Sequence, residues 1–299
     1  MKFWNAIILL ITSIALTSCF NTTDELWIEK DGSGRFQTTT DLSSIYPFMM
    51  MGLDKVKEEA ETEGAEVKKD DKFKKMFEEL LKAESMDTTF VIQKLVQAGL
   101  DEKGMTMDDF WAKMDEEMKD DKSMPDAQKE VAMAMFDKML NMQFRMQANK
   151  GDQMFKTTLM QSFTDITELS SLGKDVADIL PYLDNEKTEN MSADQLASMD
   201  QLFNSFTHID LNGNTLRVRR SGLDLSSLGE EVAQMAPMMQ MFLGNSPYRL
   251  VVHFPGKVKK MSEGVEKIDK NTIAIEMSLS DLFDAEKSID YEVKFKGLK

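Results

Sequence analysis

The side chain in this chain with the most distinctive reactivity is Cys19, the single cysteine among 299 residues. A thiol reacts as its thiolate and can be alkylated or acylated. Its neighbours bear on which chemistry that is. Ser18, a small residue, stands directly before it and Leu16 three positions before it, while Lys2 and the mostly apolar run Phe3 to Ala15 precede both. That run is too short to span a bilayer comfortably and has the order of a secretory signal peptide. With one cysteine there is no intramolecular disulfide, so the fold must hold by packing.

Other reactive sets are scarce. The two histidines, His208 and His253, lie far apart in the chain, and no HExxH, P-loop or GxSxG pattern occurs. Acidic pairs such as Asp108-Asp109 and Asp120-Asp121 are expected by chance among 52 acidic residues. General acid and base work needs a pocket and shifted pKa values, which no pattern here announces. No catalytic residue, metal ligand or cofactor is expected, and the chain is expected not to be an enzyme. Arg217, Arg219 and Arg220 form the densest basic cluster, for which pairing with the chain's own carboxylates outweighs anion binding.

Leu16-Thr17-Ser18-Cys19 resembles the bacterial lipobox. The resemblance implies that Cys19 is diacylated on sulfur with palmitate-like chains, that the bond before it is cut, and that the new amino group takes a third chain. Each buried acyl CH2 contributes about 0.8 kcal/mol, so two or three chains make a lasting membrane anchor. Residues 1–18 are then a lipoprotein signal peptide and 19–24 a lipidated tether. The expected location is the cell envelope, at the outer membrane, with either face open.

Loss of residues 1–18 removes only the charge of Lys2, taking the net charge from −16 to −17. So acidic a chain is repelled by phosphate backbones and anionic headgroups, which argues against nucleic acid as a partner. Acyl chains, not electrostatics, must hold the membrane. A hydrophobic content of 42% suffices for a real core.

The 26 methionines are a large excess. They either replace leucine in the core or line an adaptable apolar surface, since the thioether is flexible and polarizable. Copper binding would need methionine clustered with His or Cys, which His208 and His253 do not supply. If an apolar pocket exists, its expected wall is Met235, Met238, Met239, Met241 and Phe242, in a helical stretch interrupted by Pro237.

The elements that position these residues read as strands and helices in alternation. Leu26-Trp27-Ile28 is strand-like, and Asp31-Gly32-Ser33-Gly34 supplies a hairpin turn before Arg35 to Thr40. Strand signals return at Met142 to Met146 and at Phe155, Thr157 and Leu159, then on both sides of Asn212-Gly213-Asn214. Between them lie helical stripes: Phe73, Met76, Phe77, Leu80 and Leu81; Met107, Phe110, Trp111, Met114 and Met118; Ala132, Met135, Phe136, Met139 and Leu140. Thr106 with Asp109 and Ser123 with Asp126 have capping-box spacing. Three similar pentads, beginning at Asp41, Glu168 and Asp224, each carry a serine pair and read as strand-to-helix junctions.

The C-terminal part alternates most cleanly, at Tyr248, Leu250, Val252 and Phe254, at Ile273, Ile275 and Met277, and at Ile289, Tyr291, Val293 and Phe295. The run Tyr248 to Val258, followed by Ile268 to Leu279, resembles the end of bacterial lipoproteins of the LppM-like group. That resemblance implies an antiparallel sheet with a packed helix and no established activity.

The expected fold is α+β: one domain over residues 25–299, an antiparallel β-sheet with packed helices and a long helical insertion at about 48–141. The expected role is a non-catalytic envelope lipoprotein that binds a protein partner or acts as a scaffold. The alternative is a carrier or sensor for an apolar, lipid-like ligand held between sheet and helices.

Overall fold

The computed structural model describes residues 21–44, 46, 84–101, 103–120, 124–169, 208–220, 246–278, 281 and 287–298. In chain order these form β1 (Thr22–Ile28), β2 (Gly34–Asp41), β3 (Ser85–Val91), α1 (Ile92–Asp101), α2 (Met107–Asp120), α3 (Asp126–Leu140), β4 (Gln143–Asn149) and β5 (Met154–Phe163). There follow β6 (His208–Asn212), β7 (Thr215–Arg220), β8 (Pro247–His253), β9 (Lys260–Met261), β10 (Val265–Lys267), β11 (Thr272–Ser278) and β12 (Ile289–Lys294). The α+β class is as expected.

The strands make two sheets, where one was expected. The larger runs β10-β11-β8-β1-β2-β5-β4-β3 and the smaller β6-β7-β12-β9. One pairing departs from the antiparallel pattern: β1 lies parallel to β8, with Leu26 opposite Val252. Period-two alternation then decides what each strand buries. Leu26 and Ile28 of β1, Leu250 and Val252 of β8 and Ile273 and Ile275 of β11 share one face of the large sheet, and all are buried. Against that face pack Ile209, Leu216, Val218 and Val293 of the small sheet, so the two sheets form a sandwich around one apolar core. At about 25 cal/mol per Å2, burial of this many aliphatic side chains is the main stabilising term.

A second core joins the helices to the large sheet's β5 side. Phe110, Met114 and Met118 of α2 meet Ala132, Met135, Phe136, Met139 and Leu140 of α3, with Leu159 of β5 packed against them. Both stripes are those read from the sequence, and here methionine does fill a core. The α2 start is a reciprocal capping box: the Asp109 amide donates to Thr106 Oγ1 at 3.1 Å and the Thr106 amide to Asp109 Oδ2 at 2.9 Å. For α3 the expectation needs correction. Its N-cap is Pro125, without a side-chain cap, so the helix starts two residues later than Ser123 spacing implies.

Three further expectations shift. The tether is shorter than 19–24, because Thr22, Thr23 and Asp24 are already strand. The insertion at 48–141 is not wholly helical, since β3 lies inside it and pairs with β4. In the first pentad Ser43 Oγ accepts the Phe155 amide at 3.0 Å and donates to Asp41 Oδ1, extending the β2–β5 pairing, and the chain is helical at Tyr46, whose amide donates to the Ser43 carbonyl at 3.3 Å. The second lies within a helical turn that already starts at Thr167 and is capped ahead of the pentad: Asp165 Oδ1 accepts the Thr167 amide at 2.8 Å and Glu168 Oε1 accepts the Asp165 amide at 3.1 Å, while Ser170 and Ser171 lie outside the described residues. The third pentad and the stripe at Phe73 to Leu81 lie outside the described residues.

Candidate functional site

Ionisable side chains meet at one end of the sandwich, between the sheets. Asp24 points inward because it shares the β1 parity of Leu26 and Ile28, and Thr38 stands opposite it on β2. Tyr248 points inward with Leu250 and Val252. From the other sheet Arg220 shares the β7 parity of Leu216 and Val218, which are 0% and 1% exposed. Consecutive arginines must alternate faces, so Arg219 points out and Arg220 in.

The Tyr248 hydroxyl donates to Asp24 Oδ2, and Thr38 also hydrogen-bonds the carboxylate. Asp24 Oδ1 and Arg220 Nε are both shielded from solvent and have no hydrogen-bond partner among the described residues. Burial pushes the Asp24 carboxyl above its ordinary range, opposed by Tyr248, Thr38 and Arg220. Burial likewise lowers Arg220, opposed by Tyr248 and Asp24. A carboxylate and a guanidinium taken out of water together cost several kcal/mol each unless they satisfy one another. This cluster satisfies them only in part, and in that it differs from the rest of the sandwich interior.

The outer faces carry paired charges. On the small sheet Arg217 grips Asp290 in bidentate fashion, with Nε to Oδ1 at 2.7 Å, and Arg219 pairs with Asp210. The pairing expected for the basic cluster therefore holds for these two residues, while Arg220 faces the cluster between the sheets. A shallow groove of about 490 Å3 runs along this face between Asp210, Arg217, Arg219, Glu292 and Lys294. On the large sheet Trp27 is layered between His253, ring centroids 4.9 Å apart, and the Arg35 guanidinium, 4.1 Å from its centroid. Glu25 accepts from Gln37 at 2.5 Å and lies 3.8 Å from His253 Nε2.

His208 shares the outward parity of Asp210 on the small sheet and His253 that of Arg249 on the large one, so the two histidines occupy opposite outer faces and form no dyad. Among the described residues no group of three His, Cys, Asp or Glu could hold a metal ion, and no helix is long and apolar enough to cross a membrane. Cys19 lies outside the described residues, as do Met235, Met238, Met239, Met241 and Phe242. Neither Asp24 nor Tyr248 is among the site residues expected from sequence. Asp24 falls in the stretch expected as tether, although its parity with Leu26 is readable there.

No family model matches the chain, and no curated protein matches it. Among solved structures, the NMR structure of the folded domain of Mycobacterium tuberculosis LppM is similar over 94% of this chain and 91% of that one, at 9% identity and a TM-score of 0.31. A similarity at that level carries no argument from one protein to the other.

Proposed function

We propose that this chain is a lipid-anchored protein of the bacterial cell envelope that works by binding a protein partner or as a scaffold, without catalysis. One observation carries the reading. The lipobox-like Leu16-Thr17-Ser18-Cys19 ends three residues before Thr22, the buried first residue of a strand in the middle of the large sheet. An acylated cysteine at that position anchors a folded domain directly, with acyl chains providing the membrane affinity that an acidic chain, −16 before loss of Lys2 and −17 after it, does not. The paired charges on both outer faces support a role in polar recognition. The test is metabolic labelling with a clickable palmitate analogue in a bacterium that processes lipoproteins. Wild type is expected to carry label and to shift in mass on processing, and Cys19→Ser to do neither; label on the serine variant would refute the assignment.

A second reading, a carrier for an apolar, lipid-like ligand, rests on the methionine-rich composition of one stretch. Met235, Met238, Met239, Met241 and Phe242 stand in the sequence between Arg220, the last residue of β7, and Pro247, the first of β8. Native mass spectrometry and titration with an apolar dye test it. No ligand and no saturable dye uptake would remove it and leave the binding or scaffold reading.

A further inference from the structure

The start of β1 lies at one end of the sandwich, and pairing places the other strand ends around it. Thr22 stands opposite Thr40 on β2 and Tyr248 on β8, and Tyr248 opposite Met277 on β11. Asp41 stands opposite Lys156 on β5, and Asn149 of β4 opposite Met154. The β4–β5 turn, with exposed Lys150, therefore projects from the same end. At the opposite end are the β1–β2 turn with exposed Lys30 and the turn before β11 with exposed Lys270.

Three peptide units join Cys19 to Thr22, a reach of at most about 11 Å. β1 has three strands on one side of it in the large sheet and four on the other. At about 4.8 Å per strand the sheet extends roughly 14 Å and 19 Å to either side, farther than the tether reaches. A cysteine anchor therefore draws a broad strand-end surface, not a sheet edge, against the headgroups. In a competing posture the domain topples onto the outer face of the large sheet. That posture would bring Trp27, five residues or about 17 Å along β1, down to the headgroups.

Resting on the lipid-anchor reading above, we infer that the strand ends at Thr22, Asp41, Lys156 and Tyr248 are a bilayer-apposed surface. The domain stands on it end-on, with the Asp31–Gly34 turn at the end away from the membrane. The β4–β5 turn is then one of its feet. The polar cluster of Asp24, Tyr248 and Arg220 lies in the half of the sandwich nearest the headgroups.

The test uses the acylated chain recovered in detergent, its acyl mass confirmed, and reconstituted into phosphatidylethanolamine and phosphatidylglycerol vesicles. Lysine acetylation is read by mass spectrometry against the same protein in detergent. Lys150 and Lys156 are expected to label several-fold more slowly on vesicles, and Lys30 and Lys270 at unchanged rates. In Trp111→Phe, a headgroup nitroxide is expected to leave Trp27 emission unquenched; should that variant fold poorly, the lysine pattern in wild type decides alone. Unprotected Lys150 and Lys156, protected Lys30 or Lys270, or quenched Trp27 would overturn the posture. If no acyl mass is found, the anchor reading fails by itself, and the posture is tested on a chain starting at Cys19 whose thiol is coupled to maleimide-bearing lipid.

Discussion

Tyr248→Phe removes one hydroxyl from a side chain that is 5% exposed, and with it a hydrogen bond to the buried carboxylate of Asp24. Stripping a partner from a buried polar group costs about 1–3 kcal/mol, and this loss leaves Asp24 Oδ2 with Thr38 alone where Oδ1 has no partner among the described residues. The expected loss in unfolding free energy at pH 7 is therefore about 1–3 kcal/mol. The thermal midpoint should drop by roughly 2–4 °C per kcal/mol for a chain of this size class. Linkage sets the pH dependence. Burial raises the folded-state pKa of Asp24, so below the ordinary carboxylate range the group is protonated in both states and costs nothing. As pH rises from there through the raised value the folded state holds its proton longer, and stability falls across that window. Without Tyr248's hydroxyl the raised value moves higher still, so the deficit grows as pH rises through that window and shrinks on acidification. Urea unfolding at pH 7 and near pH 4 measures this, with the same substitution repeated in Asp24→Ala. There Tyr248→Phe no longer breaks a bond to Asp24 and should cost less than it does in wild type. An equal cost with and without Asp24, or a deficit that ignores pH, would refute the coupling.

Leu26→Ala, at a fully buried position in the sandwich core, should cost about 2–5 kcal/mol in urea unfolding, whereas Leu95→Ala, at a residue 36% exposed, should lose far less. Gly34→Ala would place a Cβ 1.9 Å from the Trp27 carbonyl oxygen and 2.6 Å from the Phe163 ring, so circular dichroism melts should show a clear destabilisation from overpacking. Met135→Leu, within the helix-to-helix core, should stay within about 1.5 kcal/mol of wild type by the same measurement, because the swap conserves volume.

The strands and helical stripes of this fold are local patterns, and they were legible. Tyr248, Leu250 and Val252 alternate into the core as read, and the α3 stripe from Ala132 to Leu140 is buried residue by residue. What escaped are features set by distant pairing. β3, Ser-Met-Asp-Thr-Thr-Phe-Val, is a half-exposed strand whose threonines mute the apolar alternation, so it vanished among charged helical neighbours. The division into two sheets and the parallel β1–β8 pair depend on which strand meets which, and no single window holds that information. The polar cluster lay between. Arg220 had to oppose Arg219 once Leu216 and Val218 faced inward, but nothing local to Asp24 tells a solvated carboxylate from one enclosed by a second sheet.

The parallel pairing of β1 with β8 bears on the order in which the chain is made. About 220 residues separate the end of β1 at Ile28 from the start of β8 at Pro247. At about 5–20 residues per second that interval lasts roughly 10–45 s. Throughout it the β1–β2 hairpin can form while the other edge of β1 has no partner, and an unpaired strand edge invites pairing with a second nascent chain. Assembly of the sandwich is thus a late, long-range event with slow kinetics. An export route that delivers the chain N-terminus first needs a holding chaperone, or dilution, to carry β1 safely until β8 arrives.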